Sequence, residues 1–198
     1  MVRGRVGDDG DHTGGVVEAM EALTSVLAIV AAAGAVLIVA ARLLAPRVAL
    51  AGRIGAAVVA RRAALTLAVA GVAMLGSLYF SESAGFVPCR LCWFQRIAMY
   101  PIAVIALVAL LRRDRDARWY VLPLAVAGIG ISTYHYLIEW GVLADSESCS
   151  LFGPPCAAIW YRSFGFVTLA FDALAGFAAI IVLNTVSFGA VTTPRETS

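Results

Sequence analysis

Five stretches of this chain carry almost no charge over lengths that suit a lipid bilayer, and they constrain the fold more than any other feature. They run over about 22–44, 63–80, 93–111, 119–138 and 163–186. Crossing ~30 Å of hydrocarbon takes ~20 mainly apolar residues, and each run approaches that length, the third once it is extended back to Pro88. Hydrophobic residues make up 61% of the chain and charged ones 14%. Such a composition leaves too little polar surface for a soluble domain. A backbone facing lipid must satisfy its own hydrogen bonds, and these runs are too long and continuous for barrel strands. The expectation is an all-α integral membrane protein.

The loops orient the spans. Arg42, Arg47, Arg53, Arg61 and Arg62 separate the first two, and Arg112, Arg113, Arg115 and Arg118 separate the third and fourth. The segments 81–90 and 139–162 hold little positive charge but carry Glu82, Glu139, Asp145 and Glu147. The positive-inside rule makes the Arg-rich loops cytoplasmic and turns the other two outward. Tyr79, Phe80, Trp93, Phe94, Trp140, Trp160 and Tyr161 then fall at the outer boundary as an aromatic belt. Residues 1–21 are rich in Gly and Asp, lack periodicity and read as a disordered tail.

The cysteines are Cys89, Cys92, Cys149 and Cys156, two in each outward loop, where disulfides persist. Cys89 and Cys92 form a Cys-x-x-Cys where loop gives way to the third span. Pro88 suits a helix start, and the positive end of the helix dipole favours thiolate over thiol. At ~100° per residue Cys89, Cys92 and Arg96 share about 60° of one helix face. An Arg just inside the membrane is expensive unless it serves a thiolate or the polar head of a lipid-soluble cofactor. Cys149 and Cys156 bracket a Gly- and Pro-containing turn that suits a swinging loop. A disulfide relay, a pair of structural disulfides and a thiolate metal site all remain open on these residues. His135 falls at the depth of Cys92 and Arg96, as a packing residue or a hydrogen-bond donor to such a cofactor. Asp172 falls ~15 Å into the fifth span at 1.5 Å per residue, facing the bundle.

The run Pro88-Cys89-Arg90-Leu91-Cys92-Trp93-Phe94-Gln95-Arg96-Ile97-Ala98-Met99-Tyr100-Pro101 resembles the signature of the DsbB/BdbC disulfide-bond formation proteins. Ser132 to Leu137 and Pro155 to Thr168 also resemble that family, and the likeness covers about residues 63–186. It implies a four-helix membrane bundle of the DsbB type over 63–186, preceded by an extra transmembrane helix and basic loop over 22–62 and followed by a tail over 187–198. It also implies a bacterial inner-membrane enzyme that reoxidises a DsbA-like, thioredoxin-fold partner and hands the electrons to ubiquinone or menaquinone. By position, Cys149 and Cys156 would meet the partner, and Cys89 and Cys92 would lie beside the quinone. Arg96 and His135 would bind it. No bound metal and no nucleic-acid partner is expected. A non-enzymatic protein braced by disulfides, or a cysteine-based metal binder, is the alternative.

Overall fold

The computed structural model describes residues 9–46, 48–145 and 153–187, with side chains from residue 14 onward. Among them are six helices: α1 (Asp9–Leu44), α2 (Ala49–Ala60), α3 (Arg62–Glu82), α4 (Arg90–Arg112), α5 (Arg118–Glu139) and α6 (Leu169–Thr185). Four of these, α1, α3, α4 and α5, are long and apolar enough to cross a membrane, and α6 is a shorter apolar helix of 17 residues. At ~1.5 Å per residue α6 is about 26 Å long, close to the hydrocarbon thickness. Helices α3 to α6 pack around a common core, while α1 lies mainly against α6 and α2. The protein is a multi-pass helical membrane bundle.

Ala70, Ala98, Met99, Ile102, Ala103, Val121, Ala125, Phe177 and Ile180 form the core. Small residues let the helices approach closely where no hydrophobic force separates protein from lipid. At Gly128 a Cβ would stand 2.3 Å from the Phe177 ring, so only glycine allows α5 and α6 to meet there. Asn184 Nδ2 donates to Thr66 Oγ1 at 3.0 Å and ties α6 to α3 through a bond that lipid cannot replace. The outward face is apolar, with Leu37, Ile97 and Leu111 at 68%, 63% and 74% exposure, as a lipid-facing surface requires.

The three middle spans match their hydropathy, and the structure departs from expectation elsewhere. Helix α1 begins at Asp9, so residues 9–21, expected in a disordered tail, belong to a continuous helix that apolar Val16, Val17 and Met20 extend. Residues 49–60, expected as basic loop, form α2, whose Ala51, Gly52 and Gly55 are buried. Five alanines and a leucine favour helix there, and burial of Gly52 and Gly55 offsets the weak helix propensity of glycine. The last helix starts at Leu169. Residues 163–167 fold into a turn in which Ser163 and Val167 exchange backbone hydrogen bonds at 2.9 Å, through positive φ at Phe164 and Gly165. Hydropathy counted those phenylalanines as span, but Thr168 caps the helix by accepting from Phe171 N–H. Asp172 therefore stands in the first turn of α6, not at mid-membrane.

Candidate active site

Helix α4 begins at the Cys-x-x-Cys, and its N-cap is Cys89, whose Sγ accepts from the Cys92 backbone N–H at 3.2 Å. A sulfur in a cap position meets the orphan N–H groups and the positive dipole end, the setting that favours a thiolate. Cys89, at the threshold of the span, has its thiol pushed below the usual range, first by the Cys92 thiol and then by His135, against the opposing effect of burial. The two sulfurs are 2.6 Å apart. Cys89 is buried and Cys92 half-buried.

The Cys89 side is a polar network inside apolar walls. His135, on α5 and 2% exposed, places Nε2 3.7 Å from Cys89 Sγ and 3.1 Å from the Cys156 carbonyl oxygen. Gln95 Nε2 lies 3.3 Å from His135 Nδ1, so an amide N–H donating there leaves the imidazole proton on Nε2, where it points at Cys156 and Cys89. Glu139 Oε1 is 3.9 Å from the same Nε2, and its other oxygen accepts from Thr168 Oγ1 at 2.5 Å. Cys156 is fully buried, disulfide-bonded, and packs in one cluster with Cys89, Leu91 and Ile138. Cys149 lies outside the described residues.

The Cys92 side opens on an apolar cavity of about 350 Å³ between α1, α3, α4 and α6. Cys92, Arg96, Met99 and Tyr100 form its α4 wall, and the ring stack Phe80–Phe86–Trp160, with centroids 5.2 and 4.8 Å apart, lines it as well. Arg96 is held by Ser77, with Nε donating to Oγ and a terminal nitrogen to the backbone oxygen, each at 2.9 Å. On the α6 wall stands Asp172, which accepts from Tyr161 OH at 2.5 Å. The Tyr161 phenol is pushed up, above all by burial, so it keeps its proton and donates. An apolar cleft with a few converging polar groups is the usual form of a small-molecule site.

Three of the sequence-predicted site residues, Cys89, Cys92 and His135, meet around one point. Arg96 joins Cys92 at the cavity. His135, expected beside a quinone, is instead directed at Cys89 and Cys156 and is not part of the cavity wall. Matched depth on two helices does not fix how each is rotated about its axis. Gln95 and Ser77 escaped the sequence reading, although Gln95 lies one turn from Cys92, a position that shares its helix face.

The sequence model of the family described as "Disulfide bond formation protein DsbB" matches residues 60–187. This chain belongs to the DsbB family. The match takes in α3 to α6 with both sides of the Cys-x-x-Cys, and leaves α1 and nearly all of α2 outside it. The chain is 45% identical over 114 residues to "Disulfide bond formation protein C" of Bacillus subtilis, covering 58% of this chain and 83% of that relative. It is 42% identical over 113 residues to "Probable disulfide formation protein C 1" of Bacillus anthracis, covering 57% and 81%. A "Probable disulfide formation protein" of Deinococcus radiodurans is 49% identical over 83 residues, covering 42% and 54%. No solved structure matches.

Proposed function

We propose that the protein is a membrane thiol:quinone oxidoreductase that reoxidises an extracytoplasmic, DsbA-type thioredoxin-fold dithiol protein. In this reading Cys149 and Cys156 form the pair that meets the partner, both cysteine pairs face the outside of a bacterial inner membrane, and Arg96 holds the quinone. The carrying observation is that Cys89 packs against Cys156 while Cys92, its sulfur 2.6 Å away, lines an apolar cavity with Arg96.

A partner thiolate attacks the Cys149–Cys156 disulfide, and resolution of the mixed disulfide leaves the partner oxidised and the loop pair reduced. A loop thiolate then attacks Cys89, which is buried in one cluster with Cys156, and expels Cys92 as a thiolate on the cavity side. The second loop thiol resolves that bond, which restores the loop disulfide and leaves Cys89 and Cys92 reduced. His135, with its proton on Nε2, stabilises negative charge on Cys89 at 3.7 Å. Arg96 stabilises charge on Cys92 and on the ligand head beside it. A quinone in this cavity supplies an acceptor for two electrons and two protons. The cavity fits such a ligand because its walls are apolar and its polar groups are few.

A metal at Cys89, Cys92 and His135 is the competing reading, because their ligand atoms lie within 4.8 Å of one another. Two thiolates on a tetrahedral zinc with ~2.3 Å bonds stand about 3.7 Å apart. The sulfurs here, at 2.6 Å, are placed instead for forming and breaking a bond to each other. The test is quinone reduction by the purified protein, driven by a reduced thioredoxin-fold dithiol, with an all-Cys→Ser variant as the blank. Cysteine-dependent turnover supports the reading. Silence with both ubiquinone and menaquinone analogues, together with cysteines that resist mild reductant, overturns it.

A further inference from the structure

The cavity has a polar group that the relay does not use. Asp172 lies in its α6 wall, where Tyr161 OH bonds Oδ2 and Oδ1 is buried without a hydrogen-bond partner. A buried, unpartnered carboxyl oxygen is costly, so it normally has a role. Tyr161 OH also lies 3.3 Å from Thr24 Oγ1 on α1, and Thr24 lines the cavity too. These residues thus join α1, the loop before α6 and α6 itself at a site apart from Ser77 and Arg96.

We infer that Asp172, held by Tyr161 and Thr24, is a catalytic residue that bonds the second oxygen of the quinone and passes it a proton. The inference rests on the reading that the cavity takes a quinone. The chemistry balances without another reagent. When the Cys89–Cys92 bond forms, the dithiol loses two electrons and two protons, and the ring must gain two of each. Asp172 gives its carboxyl proton to one ring oxygen and regains a proton from the pair leaving the dithiol. Arg96 lacks a proton it can give up, so it holds the other oxygen by N–H donation and charge, and that oxygen takes the second proton released by the dithiol. Since Thr24 belongs to a helix outside the family-matched region, α1 becomes part of the site and not merely an added anchor.

The experiment uses full-length protein in detergent and three readouts. Menadione binding is measured on a redox-silent Cys89→Ser/Cys92→Ser background with and without Asp172→Asn. Quinone reduction and exchange between the partner and the loop are measured with the cysteines intact. Asp172→Asn should weaken menadione binding several-fold and slow quinone reduction on the order of 10²-fold, as loss of a general acid does. Loop exchange should stay unchanged. If Asp172→Asn does not accumulate, Tyr161→Phe keeps the carboxyl, removes its donor and should reproduce both losses in smaller measure. Wild-type binding and turnover in the folded variant would overturn this inference alone. An inactive wild type that binds no menadione would remove the quinone reading and this inference with it.

A second cavity carries an independent inference. At the opposite end of the bundle, about 620 Å³ is lined by Arg62, Arg113, Arg115 and Arg118 beside Asn184 and Asp114. Among the described residues, Arg62 and Arg118 each have a buried Nε without a partner, and the Arg62 guanidinium donates to the Val186 carbonyl. Among the described residues no carboxylate forms a salt bridge with any of these arginines. Guanidinium groups gathered around a cavity at the ends of apolar helices call for an anion with several oxygen acceptors. The geometry points to a phosphate-binding site for the phosphodiester head of an anionic membrane lipid. Phosphatidylglycerol or cardiolipin should raise the Tm of the detergent-solubilised protein where phosphatidylcholine does not, and Arg118→Gln with Arg113→Gln should abolish the difference. The same rise with inorganic phosphate alone would keep the site and reassign it to the free anion. No rise with either would overturn it.

Discussion

The two sulfurs of the Cys-x-x-Cys occupy opposite kinds of surroundings although a single helical turn separates them. Cys89 is 3% exposed and faces a closed polar network of His135, Gln95, Glu139 and the Cys156 backbone. Cys92 faces an apolar cavity whose nearby polar residues include Arg96 and Gln95. In the proposed function the first side serves exchange between sulfurs, where a thiolate must be stabilised and a proton held. In the same proposal the other presents a sulfur to an apolar molecule. A relay between a water-borne protein and a lipid-borne acceptor needs these unlike faces on one bond.

Substitutions should separate the two faces. The largest effect is expected from Cys92→Ser, which removes the cavity-side sulfur. Quinone reduction should fall to the all-Cys→Ser blank, while the partner still exchanges with the loop pair in a rapid-quench assay. Arg96→Gln should come next. It keeps a donor for Ser77 but removes the charge, so quinone reduction should drop on the order of 10²-fold with loop exchange unaffected. His135→Ala acts on the other face and should slow electron transfer from the loop pair to Cys89 by about tenfold, the worth of one hydrogen bond to a charged group.

The same variant sharpens the comparison through pH. The folded protein holds the Cys89 thiol below its ordinary range, with the Cys92 thiol the largest cause and His135 a further one. Its thiolate therefore persists as pH falls below the usual thiol range. Removing His135 should move the alkylation profile of Cys89 in the reduced protein to higher pH. An unmoved profile would mean that His135 only packs. The smallest expected effect on either face comes from Gly128→Ala. Its methyl would collide with Phe177 and cost about 1–3 kcal/mol of stability. Thermal unfolding should register that cost, while the ratio of the two partial reactions stays constant.

Much of this arrangement was legible in the residues. Apolar run length placed α3, α4 and α5 within a few residues, because lipid demands uninterrupted apolar helix there. The spacing of Cys89, Cys92 and Arg96 predicted one shared face, and Cys92 and Arg96 do share the cavity wall. Helical rotation was not legible. His135 has the expected depth but turns toward Cys89, since depth comes from position along a helix and direction from packing against neighbours. The start of α6 was hidden for another reason. Hydropathy scores Phe164 and Val167 as membrane, whereas Gly165 and the Thr168 cap end the turn and begin the helix. That shift moved Asp172 from mid-span to the edge of the site, next to a tyrosine eleven residues earlier. In a continuous helix that tyrosine would lie about 16 Å away along the axis.

Disulfide mapping by mass spectrometry in variants that each lack one cysteine of the pair tests the two-faced Cys-x-x-Cys most directly. In Cys92→Ser protein the remaining Cys89 thiol should attack the loop disulfide and be recovered bonded to a loop cysteine. In Cys89→Ser protein Cys92, on the cavity side, should be recovered unbonded to the loop. Recovery of a Cys92–loop disulfide, with Cys89 left free in the complementary variant, would contradict the account.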